Sequence, residues 1–313
     1  MVGYATMNSK KDLLSLNELS AGEIRAILSA AREFKKNRLA GERKIFADRT
    51  AVLIFEKPSL RTRITFETAI HELGGHAITL TSENIGLGKR ESPEDVARNL
   101  ERWVHLIVAR TFSHAMVERL AKSSAVPVIN ALTDTHHPCQ ALAFAMTLDE
   151  KFGTASEKRI AFIGDGNNVC NSIALLSAKL GYRFTVACPR GYEPSPGQWH
   201  HAEAVAAASG AVLTVVHDPA TAVDGAMAVY TDVWASMGQE QEAQRRARDF
   251  TAFQVNAALL SCAPPGAVVS HCLPAHRGEE ITSEVLDSNR SVAFDEAENR
   301  LHVQKAVIDY LLS

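Results

Sequence analysis

The segment most able to do chemistry is Glu56-Lys57-Pro58-Ser59-Leu60-Arg61-Thr62-Arg63. It joins an apolar run, TAVLIF, to the helical pattern TFETAIHEL. Ser59, Arg61, Thr62 and Arg63 therefore fall at a helix start. There the first backbone N–H groups lack internal partners, and the helix dipole favours negative charge. The hydroxyls of Ser59 and Thr62 add donors, and two guanidiniums add a fork geometry suited to phosphate oxygens. Taken alone, the segment reads equally well as a capped surface helix with solvated arginines. Its neighbours shift the balance. Arg110 in ARTF ends a second apolar run, and His137 and Gln140 in HHPCQ follow a third. Donors at three strand ends on one sheet edge point to one anionic or carbonyl-bearing ligand.

A second group of polar residues follows later strands. Asn168 closes DGNN at another helix start, where it can meet a carboxylate or simply cap the helix. Asp232 follows MAVYT and can hold a cation or cap the next segment. Cys272 ends VVSHC before Leu273-Pro274; a lone cysteine there is as readily packing as function. His271 and His276 read as local structure. Arg300 is expected ahead of a terminal helix, either near the site or in a surface ion pair with Glu296 or Glu298.

The elements that must position these residues alternate between apolar runs and helical periods. Expected strands are Thr50–Phe55, Ala77–Leu80, Leu106–Ala109 and Pro127–Asn130. A second series comprises Arg159–Gly164, Phe184–Cys188, Val212–Val216, Met227–Thr231 and Val268–Cys272. The first helix opens on a capping box, Ser20 with Glu23, and runs through Phe34 towards Gly41. Others are expected over Pro93–Arg102, Pro138–Phe152 and Glu298–Leu312. Strand–helix alternation implies βαβ units and parallel sheets buried on both faces. The expected fold class is α/β: two doubly wound parallel-sheet domains with an active-site cleft between them. The boundaries are 1–148 and 149–297, with a C-terminal helix, 298–313, packing back onto the first domain.

The chain has 313 residues, 46% hydrophobic, and a net charge of −3. That is enough material for two cores and argues against a nucleic-acid binder. No apolar run reaches the roughly 18 residues that span a bilayer, so no membrane partner is expected. The opening MVGYATMNSKKDLL lacks a signal-peptide pattern. Cys139, Cys170, Cys188, Cys262 and Cys272 show no close CxxC pair, so neither a disulfide framework nor a metal site is expected, and a cytoplasmic location fits.

In their order, SLRTR, ARTF, HPCQ, DGNN, DVWASMGQE and HCLPAHRG resemble the aspartate/ornithine carbamoyltransferase family over nearly the whole chain, with the last motifs closest to its ornithine-specific members. The resemblance implies transfer of a carbamoyl group from carbamoyl phosphate to the side-chain amine of ornithine, giving citrulline and phosphate in arginine biosynthesis. It implies a carbamoyl-phosphate site of Ser59, Leu60, Arg61, Thr62, Arg63, Arg110, His137, Gln140, Cys272, Leu273 and Arg300. Arg110, His137 and Thr62 would contact the carbamoyl oxygen and Gln140 its nitrogen. Ornithine would be held by Asn168, Asp232, Ser236 and Met237; Arg110, His137, Cys272 and Asp232 form the catalytic set. The resemblance further implies a homotrimer, or a multiple of trimers. Leu60 departs from the threonine usual in relatives. Gly86 stands near a position where they carry Gln or His reaching a neighbouring subunit's phosphate; Lys89 or Arg90 is the alternative here.

The chemistry implied is acyl transfer to an amine. It needs donors at the carbonyl oxygen, a deprotonated nucleophile and close positioning, with no cofactor. The ornithine side-chain amine titrates near lysine, at about 10.4, so neutrality at pH 7 costs roughly 4 kcal/mol unless the site desolvates it. Asp232 is then better placed on the α-ammonium than against the reacting amine. Rival readings are transfer to putrescine, an acylated ornithine or aspartate, a nicotinamide-dependent dehydrogenase, and a non-catalytic anion-binding protein. DGNN lacks the full glycine fingerprint of the dehydrogenases.

Overall fold

The structure is a computed structural model that describes residues 10–38, 41, 43–81, 86–88, 90–154, 157–235 and 240–313. In chain order the first elements are α1 (Ala21–Lys36), β1 (Thr50–Phe55), α2 (Leu60–Glu72), β2 (His76–Thr81), α3 (Pro93–Leu100), β3 (Leu106–Arg110), α4 (His114–Ser123), β4 (Val128–Leu132) and α5 (Pro138–Phe152). Then come β5 (Arg159–Ile163), α6 (Asn168–Leu180), β6 (Arg183–Ala187), α7 (Pro196–Ser209), β7 (Val212–Val216), α8 (Pro219–Val223) and β8 (Ala228–Thr231). The last are α9 (Ala243–Asp249), α10 (Ala257–Ser261), β9 (Val268–His271), α11 (Ser283–Leu286) and α12 (Ala293–Leu312).

The chain divides into two compact units. The first holds 1–18, 30–138 and 304–313; the second holds 19–29 and 139–303. The first contains a four-stranded parallel sheet in the order β2-β1-β3-β4. Its inner strands are apolar on both faces: Val52, Leu53, Ile54, Ile107, Val108 and Ala109 are buried. The edge strand β2 is half exposed, unlike the doubly buried strand expected, because it has a neighbouring strand on one side only. The second unit contains a five-stranded parallel sheet, β7-β6-β5-β8-β9.

Local signals account for the element boundaries. The Ser20 backbone N–H donates to Glu23 Oε2 at 2.8 Å and the Glu23 N–H to Ser20 Oγ at 3.2 Å, the reciprocal capping box at the start of α1. Ser92 caps α3, with Pro93 in the first turn. Gly181 ends α6 at φ +77°, a conformation that favours glycine. Most boundaries differ from expectation by no more than two residues, and one differs by more. α12 begins at Ala293, not Glu298, with Asp295 and Glu296 in its acidic first turn. Arg300 therefore lies within the helix, one turn beyond Glu296, and is buried rather than paired at the surface.

Both sheets reverse their strand order internally, the first between β1 and β3 and the second between β5 and β8. In open parallel sheets, ligands bind beyond the carboxyl ends of strands at such a reversal. The unusual polar residues stand at these two points.

Candidate active site

At the first reversal, Ser59 has extended backbone and caps α2, its Oγ accepting from the Thr62 N–H at 3.3 Å. The first turn of α2 carries no acidic residue, so nothing there competes with an incoming anion. Thr62 is buried. Across the reversal, Arg110 at the end of β3 is also buried, and its Nη1 donates to Thr62 Oγ1 at 3.4 Å. The end of β3 and the first turn of the helix that follows the adjacent β1 thus bring a guanidinium and a hydroxyl together. Arg61 is half-buried. Arg63 points along the helix surface, where its Nε donates to Glu67 Oε1 at 2.9 Å. Leu60 is 73% exposed. His137, buried, directly precedes α5. Lys57 was not singled out from sequence; it is buried, with its ammonium 4.5 Å from the centre of the Phe112 ring.

At the second reversal, Asn167 rather than Asn168 caps α6. Its Oδ1 accepts from the N–H groups of Val169 and Cys170, both at 3.0 Å. Asn168 is therefore the first helical residue, released from the capping role open to it in the sequence. The Asn167 Nδ2 donates to Asp232 Oδ2 at 2.8 Å. The other carboxylate oxygen accepts from the Val233 N–H at 2.8 Å and from Cys272 Sγ at 2.7 Å. Three neighbours fix this buried carboxylate. Burial, then the Asp232 charge and its hydrogen bond, hold the Cys272 thiol far above its ordinary range, with Glu296 adding to the shift and Arg300 opposing it. The group is a protonated donor, not a ready thiolate nucleophile.

Leu273 adopts φ +55°, a backbone state that costs a leucine about 1–2 kcal/mol. Its N–H donates to His271 Nδ1 at 2.8 Å, while His271 Nε2 faces Glu280 Oε1 at 3.0 Å. The acceptor role of Nδ1 makes Nε2 the protonated nitrogen. Asp232, His271 and Cys272 lie close enough to share one metal ion. Both His271 nitrogens are already engaged, so ligation would break the bond that shapes the Leu273 turn. His276, Glu279 and Glu280 form a second such group, and there Glu280 Oε1 is already held by His271 and by the His276 N–H.

A third cluster joins Gln140 of α5 to α12. Arg300 Nη1 donates to Gln140 Oε1 at 2.6 Å, and Gln140 Nε2 donates to Glu296 Oε1 at 2.5 Å. Tyr230 Oη donates to the same carboxylate oxygen at 2.9 Å, and Ser270 Oγ to the other. All five side chains are buried. Sequence reasoning found Gln140 and Arg300 but missed Asn167, Tyr230, Ser270 and Glu296. Glu296 meets its partners across 26 to 156 residues, a separation that leaves no motif in the sequence. Ser236 and Met237 lie outside the described residues, as does Lys89.

Fold and site define a two-unit α/β protein with a Ser59-capped helix start, free of acidic residues, at one sheet reversal and a fixed carboxylate at the other. The family model described as "Aspartate/ornithine carbamoyltransferase, carbamoyl-P binding domain" matches residues 11–150, and "Aspartate/ornithine carbamoyltransferase, Asp/Orn binding domain" matches 156–311. The chain belongs to the aspartate/ornithine carbamoyltransferase family. It is 49% identical over 300 residues to the ornithine carbamoyltransferase of Methanosarcina mazei, covering 96% of this chain and 98% of that one. It is also 49% identical to the anabolic enzyme of Pyrococcus furiosus, at 95% coverage of both. A solved structure of Pyrococcus furiosus ornithine carbamoyltransferase superposes with a TM-score of 0.93 at 48% identity, covering 97% of each chain. The anabolic enzyme of Campylobacter jejuni gives 0.92 at 38%, covering 96% of this chain and 98% of that one.

Proposed function

We propose that the chain transfers the carbamoyl group of carbamoyl phosphate to the side-chain amine of ornithine, releasing citrulline and phosphate. The observation that carries this reading is the joining of Arg110 and Thr62 at the first sheet reversal, directly over the start of α2. The particular amine is supported by full-length relatives named for ornithine.

In this reading the N–H groups, Ser59, Arg61 and Thr62 at the head of α2 hold the phosphate, with Leu60 contributing backbone and Arg63 a more distant charge. Arg110 and His137 donate to the carbamoyl oxygen, where negative charge gathers as the amine attacks; one such donor is worth roughly 3–4 kcal/mol in the barrier. Gln140 accepts from the carbamoyl nitrogen, and Arg300 and the Leu273 turn complete that end. Asp232 takes the α-ammonium of ornithine, and Asn168, Ser236 and Met237 its carboxylate. Cys272, held protonated, bonds Asp232 and borders the reacting amine. The amine attacks as its neutral form, the C–O bond to phosphate breaks, and the proton leaves with solvent or phosphate.

Residues 1–148, with the helix end of 298–313, would serve carbamoyl phosphate and 149–297 ornithine; the two family models, meeting between 150 and 156, support that division. A homotrimer or a multiple of trimers fits the exposed apolar side chains Leu60, Ile64 and Ile78 beside the phosphate turn. Gly86 accepts a backbone hydrogen bond from Arg90 at 2.8 Å and offers no side chain to a neighbour. A role in arginine synthesis follows the relatives named anabolic. A cytoplasmic site fits five unbridged cysteines and the lack, among the described residues, of a helix long and apolar enough to cross a membrane.

The test is initial-rate phosphate release from carbamoyl phosphate with ornithine, N-acetylornithine, putrescine and aspartate in parallel. Ornithine should exceed the others at least 100-fold in kcat/KM. Comparable rates with a second amine would reassign the acceptor, and no ornithine-dependent release would remove the activity.

A further inference from the structure

Gln140 presents a choice that its own shape does not settle. The oxygen and nitrogen of a side-chain amide are nearly equal in size, so a half-turn about the last torsion exchanges acceptor for donor. Partners decide which end faces where. Here Arg300 can only donate and meets Gln140 Oε1 at 2.6 Å, while the Glu296 carboxylate meets Nε2 at 2.5 Å. A flipped amide would set N–H against guanidinium and oxygen against carboxylate, exchanging two charge-assisted bonds for two repulsions.

We propose that Glu296 is a positioning residue that locks the Gln140 amide with its oxygen available to an N–H donor, so that the site tells a carbamoyl group from an acetyl group. The proposal rests on the reading that Gln140 meets the carbamoyl nitrogen. Glu296 is fully buried and accepts from three elements: Gln140 on α5, Tyr230 on β8 and Ser270 on β9. It acts through Gln140 and does not touch substrate. Gln140 Oε1 has two lone pairs, and one hydrogen bond to it is made among the described residues. The second lone pair suits the N–H of a carbamoyl group and is left unsatisfied by the methyl of acetyl phosphate. An acceptor built for a substrate N–H rejects the analogue lacking it, because the acceptor is then buried unpaired. Burial pushes the Glu296 carboxyl up to about 7, against the opposing donors Ser270, Gln140 and Tyr230 and the charge of Arg300.

The experiment compares Kd for carbamoyl phosphate and for acetyl phosphate, each titrated calorimetrically without ornithine, across four forms of the full chain. Wild type should prefer carbamoyl phosphate. Gln140→Ala should cut that preference at least 10-fold; if it does not, the reading of Gln140 fails and the inference with it. Glu296→Gln keeps the volume but lets its own amide take either orientation. It should cut the preference about 10-fold, with acetyl phosphate binding changed less than 3-fold. Should Glu296→Gln not fold, Tyr230→Phe with Ser270→Ala should cut the preference about 3-fold by loosening the carboxylate. A Gln140→Ala effect without a Glu296→Gln effect overturns the inference alone. Equal weakening of both ligands in Glu296→Gln, or an unchanged preference in the loosened double variant, assigns Glu296 to packing and overturns it too.

Discussion

The head of α2 and the Gln140–Glu296–Arg300 cluster handle charge in opposite ways. The first is open: Leu60 is 73% exposed and Arg63 lies on the surface against Glu67. The second is closed: its side chains are buried and linked in one chain from Arg300 through Gln140 to Glu296. A group recognised only by its negative charge can be held by several interchangeable donors. A group whose oxygen and nitrogen must be told apart needs fixed acceptors and donors, and burial supplies the rigidity. Tolerance to substitution should follow that difference, and each prediction below bears on it.

The largest effect is expected at Arg110. Arg110→Ala should lower kcat by about 100- to 1,000-fold, the loss of one donor to a developing oxyanion, with thermal unfolding little changed. A loss below 10-fold in steady-state assays would remove Arg110 from the reacting oxygen. At the open turn, Arg61→Gln should raise KM for carbamoyl phosphate roughly 10- to 100-fold, the range of a lost charge-assisted bond of about 1.5–3 kcal/mol. Arg63→Gln should cost only a few-fold, since an exposed Arg–Glu pair is worth about 0–1 kcal/mol. Equal effects at the two positions would contradict the redundancy ascribed to the turn.

The closed cluster has a pH signature. The folded-state value of Glu296 lies above its ordinary value of 4.5, so the folded chain binds the extra proton. The stability tied to that proton is complete below about 4.5 and is lost as pH rises through about 7, a change of roughly 3 kcal/mol. The groups facing it are Gln140, Tyr230, Ser270, Arg300 and Cys272. Denaturant unfolding from pH 5 to 8 should show that downward slope flattened in Glu296→Gln; parallel curves would refute it. The smallest effect is kinetic. A thiol reagent at pH 8 should modify exposed Cys262 well before Cys272, whose burial and Asp232 neighbour disfavour the thiolate. Preferential labelling of Cys272, read by mass spectrometry, would reverse that assignment.

Legibility in the sequence followed the range of the interactions. Buried parallel strands announce themselves as continuous apolar runs, and β1 stands where its run places it; so does β7, although as an edge strand it is only half-buried. Cys272 falls just past β9 because strand pairing ends at His271, a matter of the neighbouring strand rather than of apolarity. The helix start at Ser59–Arg63 was legible because its residues are contiguous. Asn167 and Asn168 are the same residue type side by side, so only the cap geometry separates them. The start of α12 was missed because AFDEAENR has no Ser, Thr or Asn cap immediately before it. Glu296 was illegible for a different reason: its partners lie 26, 66 and 156 residues away. No periodicity or motif spacing records such pairings.

The account stands most directly on direct transfer without an enzyme-bound carbamoyl group. Carbamoyl phosphate labelled with carbon-14 at its carbonyl, mixed with ornithine and wild-type chain and quenched through the first turnover, should yield labelled citrulline and phosphate in equal amounts. No label should remain on the protein, and the same quench of Arg110→Ala should yield almost none of either. Phosphate without labelled citrulline, or label retained on Cys272, would contradict it.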